Sequence, residues 1–312
     1  MTHAVDGASI LLTGGTGSFG GRFAARVLSE HSPRSLTVYS RDELKQSELR
    51  RSLPDDRIRW IIGDVRDRDR LRGVMRGIDV VVHAAALKQV ASDEANPTEA
   101  IATNVGGALN VVSTAIDAGV KRALLISSDK ACSPLNLYGQ TKAVAEKLFV
   151  WANSDGPGLF SAVRYGNVAG SRGSVIPLWR EQAKQGVLTL TDPNATRFWL
   201  TLDQGVDFVL WALGNMRGGE VFVPRLPSVS VRVLAEAVAQ GAAWRVVGLG
   251  AAEKPHELLV SRDEARRAAP TETGWAIYPS VRNVMSDGWE YGSSGNDWWL
   301  DGDALKAAVE KV

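Results

Sequence analysis

SILLTGGTGSFG, Ser9 to Gly20, is the stretch whose reading decides the fold. Ser9–Thr13 is a short apolar run. A glycine cluster follows, with Gly14, Gly17 and Gly20 three residues apart, and apolar residues then recur at helical spacing over Phe19–Glu30. Strand, glycine turn and helix in that order form the first unit of a nucleotide-binding sheet. Glycines let the backbone turn tightly and approach a pyrophosphate, and the helix start offers unpaired N–H groups. The other reading of the segment alone is an ordinary strand–helix turn. We expect Gly14, Thr16, Gly17, Ser18, Phe19 and Gly20 to hold a dinucleotide.

Outward from this unit the alternation continues. Strands are expected at Ser35–Tyr39, Ile58–Ile62, Asp79–His83, Ala123–Ser127 and Phe160–Arg164, and helices at Arg41–Leu53, Thr98–Ala118 and Tyr138–Asn153. Strands alternating with helices imply an α/β fold with a doubly wound, Rossmann-type parallel sheet, whose ligands sit at the carboxyl ends of the strands. Beyond Gly166 the pattern loosens, glycine, proline and tryptophan become frequent, and strands such as Glu220–Pro224 are interspersed. We expect residues 1–166 to form the cofactor domain with the catalytic groups. Residues 167–312 are expected to be mainly a substrate lobe, packed on the first and partly interleaved with it.

Each expected strand end carries a candidate group. After the second come Ser40, Arg41 and Asp42, with Lys45 a turn later. A serine and two cations at this tip suit the 2′-phosphate of NADP, while Asp42 keeps NAD open. After the third, Asp64 and Val65 would face the adenine, Asp64 alternatively capping a helix. After the fourth, Ala84 and Ala85 are small enough for a cofactor to lie against, and His83 is read as structural. After the fifth come Ser128, Asp129 and Lys130, and then Tyr138 and Lys142, which lie on one helical face. A phenol with an ordinary pKa near 10 needs a neighbouring cation before it can act as a base at neutral pH. Tyr138 would take the proton of a sugar hydroxyl as hydride leaves for a nicotinamide.

Composition sets limits. The 312 residues are 45% apolar and 23% charged, enough for a sizeable core. A formal net charge of +1 supplies no field to gather nucleic acid or acidic lipid. An anionic substrate must therefore be held by local cations. One cysteine, Cys132, cannot form an intrachain disulfide and fits a reducing compartment. The N-terminus has no secretory pattern, and no apolar run reaches the roughly 20 residues of a membrane helix. The expectation is a cytoplasmic protein with no nucleic-acid or membrane partner and no metal.

The motifs together resemble the extended short-chain dehydrogenases, whose glycine loop has this three-and-three spacing. Within them they resemble the small soluble UDP-N-acetylglucosamine 4,6-dehydratases that invert carbon 5 and serve pseudaminic acid and capsule biosynthesis. The resemblance runs nearly the whole chain, through TGGTGSFG (13–20), YSRDELKQ (39–46), GDVRD (63–67), HAAALKQV (83–90), TNVGGALNV (103–111), SSDKA (127–131), NLYGQTKAVAEKL (136–148), RYGNVAGSRGSVIP (164–177), TRFWLT (196–201) and EKPHELLVSRDEAR (253–266).

It implies that Ser128 and Tyr138 bind the 4-hydroxyl and that Lys142 supports the tyrosine and the nicotinamide ribose. It implies further that Asp129 and Lys130 are the acid–base pair for water loss. Lys88, Asn167, Val175, Arg197 and Glu257 would contact the UDP-sugar, with Arg172 a further candidate, and the protein would be a homo-oligomer. The chain departs from the family at Ser128, where threonine is usual, at Cys132 and Ser133, at Ala91, and across Val231–Gly248. The readings held against this one are a nucleotide-sugar 4-epimerase, a 5,6-dehydratase, and a cofactor-binding protein without turnover.

Overall fold

A computed structural model describes residues 3–170 and 174–311. Its sheet strands begin with β1 (Ser9–Thr13), β2 (Ser35–Ser40), β3 (Ile58–Ile62), β4 (Val80–His83), β5 (Arg122–Ile126) and β6 (Leu159–Val163). Two short strands follow, β7 (Val187–Leu190) and β8 (Thr196–Phe198), and then β9 (Val221–Pro224). After these come β10 (Ser228–Ser230), β11 (Ala243–Val246), β12 (Leu258–Val260), β13 (Ala268–Thr271) and β14 (Gly274–Ile277).

Nine strands make one sheet in the order β13-β14-β9-β6-β5-β4-β1-β2-β3. From β3 to β9 every neighbour is parallel, and the β9–β14 and β14–β13 pairs are antiparallel, so β14 alone is reversed in this sheet. This is the Rossmann-type doubly wound sheet. The strand order reverses between β1 and β4, which opens the crevice where ligands bind. The central strands are buried on both faces, which is why β1, SILLT, reads as a continuous apolar run without alternation.

Three strands beyond residue 166, β9, β14 and β13, complete this sheet. A second apolar cluster, with Ile176, Trp179, Leu188, Trp199, Leu234 and Leu305 at its centre, packs beside the main core. The divergent stretch after Val231 is ordered as a helix (Val231–Val238) followed by β11.

Three helices carry most of the site: α1 (Ser18–Glu30), α2 (Glu43–Ser52) and, after β5, α3 (Leu137–Trp151). The expected helix Thr98–Ala118 is interrupted. A π-helical stretch, Ile101–Gly106, separates a short turn from the helix Gly107–Asp117. Wide turns of this kind recur at functional sites, and here the stretch turns Asn104 inward. Its side chain bonds both the N–H and the carbonyl of Leu87, at 2.8 and 3.0 Å, and also Thr141 Oγ1. The loop after β4 is thereby tied to α3.

Candidate active site

A cleft of about 690 Å³ runs along the carboxyl ends of the strands. The cofactor half is set by glycine. Gly14 has φ +68°, and a Cβ there would stand 2.7 Å from the backbone of Ala84 and Ala85. A Cβ on Gly20 would meet Gly15 Cα at 2.5 Å. The loop after β1 and the end of β4 thus lie against each other as only glycine permits. Gly17 is the N-cap of α1 and supplies no side chain to its first N–H groups, so the helix start can take a phosphate. A dinucleotide fits these residues.

Around β2, Thr16 Oγ1 and Ser40 Oγ lie 2.8 Å apart. Asp42 caps α2 by accepting from Lys45 N, and its other oxygen is paired with Lys45 Nζ. Arg41 is more than half exposed, with Asp64 at 3.6 Å. Asp64 caps no helix. It is bound by Arg66, and Asp67 caps the helix that follows. Burial works to raise the Asp64 carboxyl, but Arg66 and Arg41 outweigh it and hold it low. His83 is fully buried, bonded to Thr13 Oγ1 at 2.7 Å and pushed down to about 3 by burial and Lys142, so it is a neutral structural group.

The reacting half lies where β5 ends. Ser128 Oγ donates to Asp129 Oδ1 at 2.8 Å, and Lys130 Nζ donates to the same oxygen at 3.2 Å and to Asn167 Oδ1 at 3.4 Å. Asp129 is buried, and its Oδ2 has no hydrogen-bond partner. α3 begins under Asn136, which accepts from Gly139 N at 2.8 Å and so places Tyr138 in the first turn. Burial pushes the Tyr138 phenol up. Lys130 and a hydrogen bond with Ser128 pull it back, while Asp129 and Asp93 add to the push.

Lys142 departs from the expected arrangement. Its Nζ donates to the Ile126 carbonyl at 2.6 Å, and burial brings it down to about 8 against the pull of Glu146. The cation that pulls the phenol down is Lys130. Burial works against the Lys130 charge too, but Asp129, Glu257 and Tyr138 together hold it above the ordinary lysine value.

Every residue assigned to the site from sequence lines this cleft, with two exceptions. Arg172 lies outside the described residues. Glu257, expected at the nucleotide, instead lies behind the wall, 3.5 Å from Lys130 Nζ. Arg197 lines the cleft and donates to the carbonyls of Thr196 and Pro255, with Glu257 at 4.0 Å.

The sequence reading singled out neither Thr103, Ser174 nor Trp199. Each lines the cleft, and each has a buried polar atom with no hydrogen-bond partner; in a native protein such atoms need an explanation. TNVGG and TRFW were legible as motifs. Which of their side chains faces the cleft depends on the π-helical stretch and on β8, and helical or strand periodicity signals neither. Among the described residues no group of His, Cys, Asp and Glu could hold a metal ion, and no helix is long and apolar enough to cross a membrane.

Residues 10–278 match the family described as polysaccharide biosynthesis protein. The chain is 42% identical over 316 aligned positions to the UDP-N-acetylglucosamine 4,6-dehydratase (inverting) of Campylobacter jejuni subsp. jejuni serotype O:23/36 (strain 81-176), covering 94% of this chain and 95% of that protein. It is also 42% identical over 271 positions to the UDP-glucose 4-epimerase of Rickettsia prowazekii (strain Madrid E), covering 83% and 80%. The crystal structure of Pen from Bacillus thuringiensis superposes with a TM-score of 0.92 at 34% identity, covering 98% of each chain. The dTDP-glucose 4,6-dehydratase DesIV from Streptomyces venezuelae, solved with NAD and TYD bound, shares the fold at a TM-score of 0.69 and 22% identity, over 79% and 86% of the two chains.

Proposed function

The chain belongs to the polysaccharide biosynthesis protein family, and we propose that within it this protein is a UDP-N-acetylglucosamine 4,6-dehydratase that inverts carbon 5. The observation that carries the reading is the Ser128–Asp129–Lys130 group set against Tyr138 in one cleft with the glycine loop. An epimerase needs a tyrosine to move the proton of the 4-hydroxyl. It has no use for a buried carboxylate oxygen without a partner and an ammonium beside it.

The chain's own groups divide the work as follows. Tyr138, positioned by Ser128, takes the 4-hydroxyl proton, and the charge of Lys130 favours the phenolate. A nicotinamide dinucleotide held by Gly14, Gly17 and Gly20 would supply a reversible hydride acceptor beside the sugar. The ketone at carbon 4 acidifies the proton on carbon 5. Asp129, with one oxygen free, is the base for that proton. Lys130, held charged, is the acid for the departing 6-hydroxyl. Lys88, Asn167, Val175 and Arg197 contact the sugar diphosphate, whose charge the near-neutral chain must meet locally.

NADP is the cofactor this reading favours over NAD. Asp42 is engaged in capping α2 and pairing with Lys45, while Ser40 and Arg41 stand at the rim. The same reading has the residues up to 166 carry the cofactor and catalytic groups and the later residues cover the substrate, in a cytoplasmic homo-oligomer.

The test is turnover of UDP-N-acetylglucosamine in deuterated water, followed by proton NMR and mass spectrometry. Loss of one water, a methyl group at carbon 6 and deuterium at carbon 5 are expected, with couplings that show inversion. A product of unchanged mass epimeric at carbon 4 would establish the epimerase, and an exocyclic alkene the 5,6-dehydratase.

A further inference from the structure

Glu257 lies just ahead of β12 and is buried, yet it does not line the cleft. Its Oε1 lies 3.5 Å from Lys130 Nζ and 4.0 Å from Arg197 Nε, and its Oε2 is buried without a partner. The backbone around it is fixed from both sides. Its N–H donates to Ser293 Oγ at 2.9 Å, and its carbonyl accepts from Ser293 N at 2.8 Å. Lys130 therefore sits between two carboxylates. Asp129 lines the cleft, and Glu257 stands behind it.

Among the described residues a small set of charged groups acts most on this pair. Around Lys130 they are Asp129, Glu257 and Tyr138. Around Glu257 they are Asp129, Lys130, Arg197 and Lys254, with burial and Asp129 pushing the carboxyl up and the three cations pulling it down. One ammonium shared by two carboxylates has a simple consequence. When Asp129 takes the carbon-5 proton it becomes neutral, and Lys130 loses one of the two charges that hold its own proton. Its acidity then rises as the 6-hydroxyl must leave. How far it rises is set by the charge that remains, which is Glu257.

We infer that Glu257 is a positioning residue for Lys130, which holds the ammonium beside Asp129 and sets how readily it yields its proton to the departing hydroxyl. In that step a Lys130 N–H bond breaks, an O–H bond forms, and the carbon–oxygen bond at carbon 6 breaks to release water. The inference rests on the dehydratase reading.

The experiment compares the full-length protein with Glu257→Gln and Glu257→Asp. An opposite charge at this distance shifts a pKa by about 1–3. In Glu257→Gln the alkaline limb of the kcat profile should therefore move at least one pH unit lower. With UDP-N-acetylglucosamine, kcat should fall about 10- to 100-fold and KM change by less than about threefold. Oxidation at carbon 4 should proceed at its normal rate, so that reduced nicotinamide accumulates, and Glu257→Asp should restore part of both effects. Titration of the Lys130 Nζ by NMR in the protein without substrate should show the same downward shift.

An alkaline limb that stays in place, an Nζ that titrates at the same pH in both proteins, or equal losses in the Gln and Asp variants with a raised KM would overturn the inference. If the wild type does not dehydrate the sugar nucleotide, the dehydratase reading fails, and the Nζ titration decides the role of Glu257 by itself.

Discussion

Replacing Arg164 by leucine tests how the floor of the site is held. Arg164 is buried where β6 ends. Its guanidinium makes two bonds to Glu146, at 3.0 and 2.6 Å, two to Glu264, both at 2.9 Å, and one to the Leu259 carbonyl at 2.9 Å. Glu146 in turn accepts from Ser127 Oγ at 2.6 Å, one residue before Ser128. At Glu264 burial works to raise the carboxyl, but Arg164, helped by the Ser261 N–H and Cys132, outweighs it and brings the group from 4.5 to about 2. At about 1.4 kcal/mol per pH unit, that difference is worth about 3 kcal/mol. Leaving a buried charge without its partner costs about 3–5 kcal/mol, in agreement.

We expect Arg164→Leu to lose about 3–5 kcal/mol at pH 7 in urea unfolding followed by circular dichroism. The sign with pH is the sharper test. In the wild type the Glu264 contribution is full above about 4.5 and is lost as pH falls toward about 2. In the variant, carboxyls buried without a cation bind protons on folding, so the variant recovers as pH falls from 8 to 5 and the gap narrows. A gap under about 1 kcal/mol, or one that is the same at every pH from 8 to 5, would refute the reasoning.

Four further outcomes are expected. Gly14→Ala, with φ +68° and backbone 2.7 Å from the new Cβ, should abolish nicotinamide dinucleotide binding by calorimetry. Arg41→Ala should reduce the preference for NADP over NAD by about tenfold or more in paired binding titrations, since one charged hydrogen bond is worth about 1.5–3 kcal/mol. Lys142, which the resemblance places on the nicotinamide ribose, lies near 8, so its charge is present below that pH and lost above it. Cofactor affinity should therefore weaken as pH rises through about 8 in the wild type and stay flat in Lys142→Met. Asn136→Ala removes the cap on the helix that presents Tyr138 and should cost about 1 kcal/mol in thermal unfolding.

The fold was legible because its decisive signals are local. Strand, glycine turn and helix lie within Ser9–Glu30, and each later strand up to β6 announces itself by an apolar run that ends in small or polar residues. The cleft was legible for the same reason. In a doubly wound sheet the residues just past each parallel strand converge at one edge, so Gly14, Ser40, Asp64, Ala84 and Ser128 meet although they are spread over more than a hundred positions. The interruption at Ile101–Gly106 was not legible, because its apolar residues suit an unbroken helix. What widens the turn is the docking of Asn104 onto the Leu87 loop, a tertiary contact.

Glu257 marks where local reading stops, and the reason bears on how the chemistry is controlled. Asp129 and Lys130 are neighbours in sequence, and a neighbouring pair alone leaves open which is acid and which is base. How readily the acid yields its proton is set by a third charge 127 positions later, brought in by a segment that ends at β12. With Asp129 alone, Lys130 would have one carboxylate holding its proton and none once that carboxylate is neutralised. With Glu257 behind it the ammonium keeps a counter-charge through the elimination. The readiness of proton release is thus written in the tertiary structure, on residues that the motif itself does not contain.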